Sequence, residues 1–174
     1  MTHDLTGARS LIINAFSRLV LAKRRLKPRI TDVLAEAGVA RSTFYQHFEG
    51  RDSLLIEAMR GPLGVIADAA AGKVDEERLC AILDHFRENR RGAIELLDGP
   101  LRARVTRALA EAIGVRLDEA TREPSFDLHL ADMLIGFMRL WLTGETRQTS
   151  RELARAMLRS AAAQRTAMIE PQTL

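Results

Sequence analysis

No apolar–polar alternation long enough for a strand occurs in this chain; apolar residues recur at three- and four-residue spacing almost throughout. The first helix is expected over about Asp4–Ala22, with Leu5, Ile12, Phe16 and Leu19 on one face. Lys23 to Arg29 reads as a basic connector, which Pro28 keeps from being helical throughout. Thr31 has the chemistry of an N-cap for a short helix ending near Ala37, where Gly38 supplies the turn. A second short helix covers about Arg41–His47. Gly50 opens a longer one that Gly61-Pro62 should kink or break.

Beyond Gly72–Asp75, with Asp75 as cap, a helix is expected through Arg90 and a short one through Leu97, stopped by Asp98-Gly99-Pro100. The next runs to about Arg122, before Glu123-Pro124. The last two cover about Phe126–Leu142 and Ser150–Ile169, and Thr149 with Glu152 forms a capping box ahead of the final one. The predicted fold is all-α with about nine helices: a three-helix, helix-turn-helix head over residues 1–50 and a helical-bundle body over 51–174.

The head follows from helix length. Ile30, Val33, Leu34 and Ala37 form the inner face of one short helix, and Phe44 with Phe48 that of the next. Helices under about 12–15 residues do not persist alone, so these two must pack together on the first. That leaves Arg41, Ser42, Thr43, Tyr45, Gln46 and His47 on the outside of the second short helix. Each can hydrogen-bond to a phosphate or a base edge.

Charge points the same way. Residues 1–60 hold 10 Lys/Arg against 6 Asp/Glu, whereas residues 61–174 hold 16 against 17. The basic excess therefore sits in the head, as a nucleic-acid footprint requires. Lys23-Arg24-Arg25 and Lys27 read equally as a solvated basic face or as phosphate contacts. The single cysteine, Cys80, excludes an intramolecular disulfide and reads as a small buried hydrophobe. Met1 to Gly7 have no apolar core of a signal peptide, and Phe126–Leu142 carries Asp132 and Arg139, too costly for a membrane span. A cytoplasmic protein is expected. No Ser-His-Asp, Cys-His, HExxH or glycine-rich phosphate loop appears, and four scattered histidines have no ligand spacing. Asp75-Glu76-Glu77 reads as a helix-start device. No enzyme, catalytic residue, metal site or cofactor is expected.

Thr31, Ala37-Gly38-Val39, Arg41-Ser42-Thr43, Phe44-Tyr45-Gln46-His47-Phe48 and Arg51 together resemble the head of the tetracycline-repressor-like (TetR) family of transcriptional regulators. The resemblance covers residues 5–60, and the terminal IGFMRLWLTGETRQTSRELARAML looks like the family's final helix pair. It implies that Arg41–His47 is a recognition helix in the major groove of a palindromic DNA operator. Arg41, Thr43 and Gln46 would read bases, and Thr31, Tyr45 and His47 would meet the phosphate backbone. Arg51, at a helix N-terminus, would favour an anion. Two positions depart from the pattern: Ala40 replaces the usual capping hydroxyl, and the connector lacks the usual glycine.

For the body, the helix at 126–142 is apolar nearly all round: Leu130, Leu134, Phe137, Met138 and Trp141 cover one side, widened by Met133, Ile135, Leu140 and Leu142. A helix of that kind needs neighbours on several sides, and a second subunit is the expected partner. The resemblance implies a four-helix dimer bundle, with Leu130, Leu134, Met138, Trp141, Leu153 and Met157 at the interface, beside Ala154, Leu158, Ala161 and Ala162. His129, Asp132, Gly136 and Arg139 make a polar stripe, either a rim with an ion pair or a pocket wall. The family's effector site lies among the middle helices, which points to Leu83, Phe86, Leu97, His129 and Met133 as lining. The resulting expectation is a homodimeric repressor released by a small-molecule effector; control by a protein partner, or by no ligand, is the alternative.

Overall fold

The computed structural model describes residues 2–23, 28–117 and 124–169. Among them are ten helices and no strand. They form two compact units, Met1–Arg60 and Gly61–Leu174.

The first unit comprises α1 (Thr2–Lys23), α2 (Ile30–Ala37), α3 (Arg41–His47) and α4 (Arg51–Ala58). Its core joins Ile12, Ala15, Phe16 and Leu19 of α1 to Val33, Phe44, Phe48 and Leu54, with Ile30, Leu34, Ala37, Leu55 and Ala58 packed around them. Leu54 is fully buried there, which carries the head through Arg60 and past the expected boundary at residue 50. Among the described side chains, ion pairs brace α1 from Arg9 to Glu57 of α4 at 2.7 Å and from Arg18 to Glu36 of α2 at 3.1 Å. Gly38 closes α2 in the left-handed region at φ 66°, and its neighbour Val39 donates its N–H to Leu34 O at 3.2 Å. A side chain there would be strained, so the turn requires the glycine.

Two expectations about helix starts change. Thr31 is not the N-cap of α2; Arg29 is, and Thr31 stands exposed one turn-position into the helix. The expected long helix from Gly50 is two helices, α4 and α5 (Arg60–Ala70), because the ring of Pro62 would meet the carbonyl of Ala58 in a continuous helix. The break falls at Met59, and Pro62 then sits in the first turn of α5, where an absent N–H costs nothing. The basic connector residues Arg24, Arg25 and Lys27 lie outside the described residues, as does Glu123.

The second unit holds α5, α6 (Glu76–Glu88), α7 (Arg90–Leu97), α8 (Arg102–Gly114), α9 (Pro124–Thr143) and α10 (Ser150–Ile169). α9 packs on α7, α8 and α10, and α10 also packs on α6. The expected caps are in place. Asp75 accepts from the N–H of Arg78 at 2.8 Å, and Glu152 accepts from the Thr149 N–H at 2.7 Å while Thr149 Oγ1 accepts from the Glu152 N–H. α8 stops at Gly114, short of the expected Arg122. Arg116 folds back there, donating to Asp68 Oδ1 at 2.6 Å and to Ala112 O at 2.8 Å.

Several helix C-termini in this unit are satisfied by cations distant in sequence. Arg165 donates to Ala70 O, Lys73 to Arg116 O at 2.6 Å, and Arg90 to Leu142 O at 2.5 Å.

The expected dimer residues need correction. Leu130, Leu134, Met138, Leu153 and Met157 are fully buried within the single chain, and Trp141 nearly so, its indole N–H donating to Gln148 O at 2.8 Å. The apolar breadth of α9 is explained by α7, α8 and α10 of its own chain, so these side chains offer no surface to a second copy.

Candidate nucleic-acid interface

The outer side of α3 is built by what its inner side must bury. Phe44 is fully buried, and Phe48 just beyond the helix is 4% exposed; their rings meet at 5.5 Å. Anchoring those two positions leaves Arg41, Ser42, Tyr45 and Gln46 exposed. Thr43 and His47 flank this row, half-buried. His47 Nε2 is covered and has no hydrogen-bond partner, so any bond His47 makes to an outside group uses its other ring nitrogen. Tyr45 is 48% exposed although aromatic, an exposure its Phe44 neighbour does not share.

The described cations of the head divide into two sets. Arg9, Arg18 and Arg60 are tied to Glu57 or Glu36. Among the described residues Arg29, Arg41 and Arg51 carry no ion pair and are all exposed. The unpaired three stand at the starts of α2, α3 and α4 respectively. None of these helices has a capping side chain at its N-cap, which is Arg29, Ala40 and Gly50 in turn. At α4, Ser53 Oγ accepts from the Gly50 N–H at 3.2 Å and donates to Gly50 O at 2.8 Å. An arginine at a helix N-terminus works against the macrodipole, so these positions contribute little to the fold's own stability. The sequence motif marks Arg41 and Arg51 but not Arg29, whose signal is its place immediately before a short helix.

Of the expected DNA-facing set, Thr31, Arg41, Ser42, Tyr45, Gln46 and Arg51 are all exposed, with Thr43 and His47 beside them. The expected lining residues divide. Leu83 and Leu97 are fully buried on α6 and α7, Phe86 is buried on α6, and Met133 is half-buried on α9. His129 is exposed, so it shares no interior with the buried three.

The polar stripe of α9 makes its ion pairs outward to other segments: Asp132 to Arg102 at 2.9 Å, and Arg139 to Glu145 at 3.2 Å. Cys80 is half-buried against Asp84, and burial first, then that carboxylate's charge, pushes its thiol up. Among the described residues no group of three His, Cys, Asp or Glu could hold a metal ion, and no helix is long and apolar enough to cross a membrane.

No family model and no curated protein matches the chain. Among solved structures it is similar to a TetR transcriptional regulator from Streptococcus agalactiae 2603V. The identity is 25%, the match covers 92% of this chain and 96% of that one, and the TM-score is 0.49.

Proposed function

We propose that the chain is a sequence-specific DNA-binding transcriptional regulator in which α3 enters the major groove. The observation that carries this is the outer side of α3: Arg41, Ser42, Tyr45 and Gln46 exposed in a row on a seven-residue helix whose only buried side chain is Phe44. A helix kept solely for packing has no need of four exposed hydrogen-bonding groups, the unpaired Arg41 among them, in a head that also leaves Arg29 and Arg51 unpaired among the described residues. Arg41 suits guanine and Gln46 suits adenine, while Tyr45, His47, Thr31 and Arg51 suit phosphates.

Binding measured by fluorescence anisotropy on a matched duplex and its single-base variants tests the assignment. Arg41→Ala should relax preference at one base pair by about 1–3 kcal/mol, whereas His47→Ala and Arg51→Ala should weaken all duplexes alike. Unchanged discrimination by Arg41→Ala rules out the base-reading role.

Two finer readings extend this one. The regulator acts as a homodimer on a palindromic site, held by the outer face of α9, where Met133, Gly136, Phe137 and Leu140 share one side of the helix and are half-buried. It works in the cytoplasm as a repressor, and an effector bound in the second unit releases it by binding the DNA-incompetent state more tightly. Sedimentation of the purified chain, alone and with half-site duplexes, tests the first; a small-molecule screen for loss of duplex binding tests the second.

A further inference from the structure

Arg41 and Tyr45 are one helical turn apart, and the Arg41 guanidinium carbon lies 5.7 Å from the centre of the Tyr45 ring. Helical side chains lean toward the N-terminus, so the ring of Tyr45 reaches back over the turn that begins with Arg41. The ring is itself held: it meets the fully buried Phe44 edge-to-face at 5.2 Å and 87°. Arg9 also lies 5.8 Å from a ring centre, that of Phe48, but its guanidinium is tied to Glu57, as that of Arg18 is to Glu36; among the described residues Arg41 has no carboxylate partner.

A guanidinium paired with a carboxylate has committed donors; one resting on an aromatic face keeps its five N–H groups for another acceptor. Arg41 also stands in the first turn, where an unsupported long side chain would sample many rotamers and lose that freedom on binding.

We propose that Tyr45 is a specificity-positioning residue: its ring holds the Arg41 guanidinium on the outer face of α3, ready to read a base. This rests on the DNA-binding reading above and adds to it. Tyr45 then has two separable parts, the hydroxyl for a phosphate and the ring for Arg41.

The experiment compares the parent with Tyr45→Phe, Tyr45→Leu and Arg41→Ala on the full chain. Discrimination is the ratio of affinities for the parent's selected duplex and for the same duplex altered at the base pair that Arg41→Ala ceases to distinguish. Tyr45→Phe should bind every duplex more weakly while keeping the parent's ratio. Tyr45→Leu should weaken binding and also lower the ratio by about 2- to 5-fold, the size of an exposed cation–π contact.

A second readout needs no DNA. The Arg41 side-chain protons should carry an aromatic ring-current shift in the parent and Tyr45→Phe, and lose it in Tyr45→Leu. A parent that selects a sequence while Tyr45→Leu keeps the full ratio, or Arg41 protons identical in all three, overturns the positioning role alone. A parent that binds all duplexes equally overturns the DNA-reading role and this one with it.

Discussion

Leu134→Ala separates packing within the chain from association between chains. Leu134 is fully buried on α9, which packs against α7, α8 and α10. The substitution removes three carbons, about 2.4 kcal/mol of transfer energy at about 0.8 kcal/mol per methylene. The cavity left behind raises the total to about 3–4 kcal/mol, within the usual range for a buried leucine. Urea unfolding followed by fluorescence reports on this directly, because the chain's single tryptophan, Trp141, sits nearly buried on the same helix. With a slope of about 2 kcal/mol/M, the midpoint should fall by about 1.5–2 M. Leu128, 44% exposed on α9, provides the control: Leu128→Ala should change stability by about 0.5 kcal/mol or less. If Leu134 serves the chain's own core, its cost is the same at two protein concentrations about fifty-fold apart. A cost below about 1 kcal/mol, or one that appears only where the protein associates, would refute the assignment.

The outer face of α9 gives the complementary test: nothing lies within 4 Å of a Cβ added at Gly136, so Gly136→Leu should not destabilise the chain, gaining about 0.5–1 kcal/mol of helix propensity, yet block close approach of a second copy. Sedimentation equilibrium reads it, and a Gly136→Leu dimer as tight as the parent's would remove this face from the interface. Gly38→Ala should destabilise the first unit by about 1–2 kcal/mol, since φ 66° is unfavourable for any residue with a Cβ; an unchanged urea midpoint would contradict the turn. Acid unfolding follows from two carboxylates held below the ordinary range, Glu152 first by the Thr149 N–H and then its hydroxyl, and Glu76 first by its hydrogen bond from Arg155. A depressed folded-state pKa means their stabilisation is present above the unfolded carboxylate pKa and is lost as pH falls through the folded value. Glu152→Gln should therefore flatten the acid limb of a stability–pH profile, and an identical limb would argue against that contribution.

What the sequence made legible were features with local causes. Periodicity placed the helices, and the caps at Asp75 and Thr149–Glu152 were readable because both partners lie within three residues. The inner face of the head was readable because helices as short as α2 and α3 have few ways to bury Val33 and Phe44. What escaped was long-range. Arg90, Arg116 and Arg165 look like surface charges until the fold brings them to Leu142 O, Asp68 and Ala70 O. The breadth of α9 suggested a second subunit because apolar periodicity counts the sides that need cover without telling whose helices supply it. Pro62 signalled a break, but its position at Met59 follows from the clash one turn back, with the Ala58 carbonyl. At the interface, the identities of Arg41, Tyr45 and Gln46 were visible in the motif. The contact between Arg41 and Tyr45, and the unpaired state of Arg29 among the described residues, are properties of the folded chain that no local motif carries.

Selection of bound duplexes from a random pool, by the purified full chain at near-physiological salt, tests the central claim most directly. The account predicts enrichment of a defined sequence, lost or broadened at one base pair when the selection is repeated with Arg41→Ala. Recovery of an unenriched pool by a folded parent chain would contradict it.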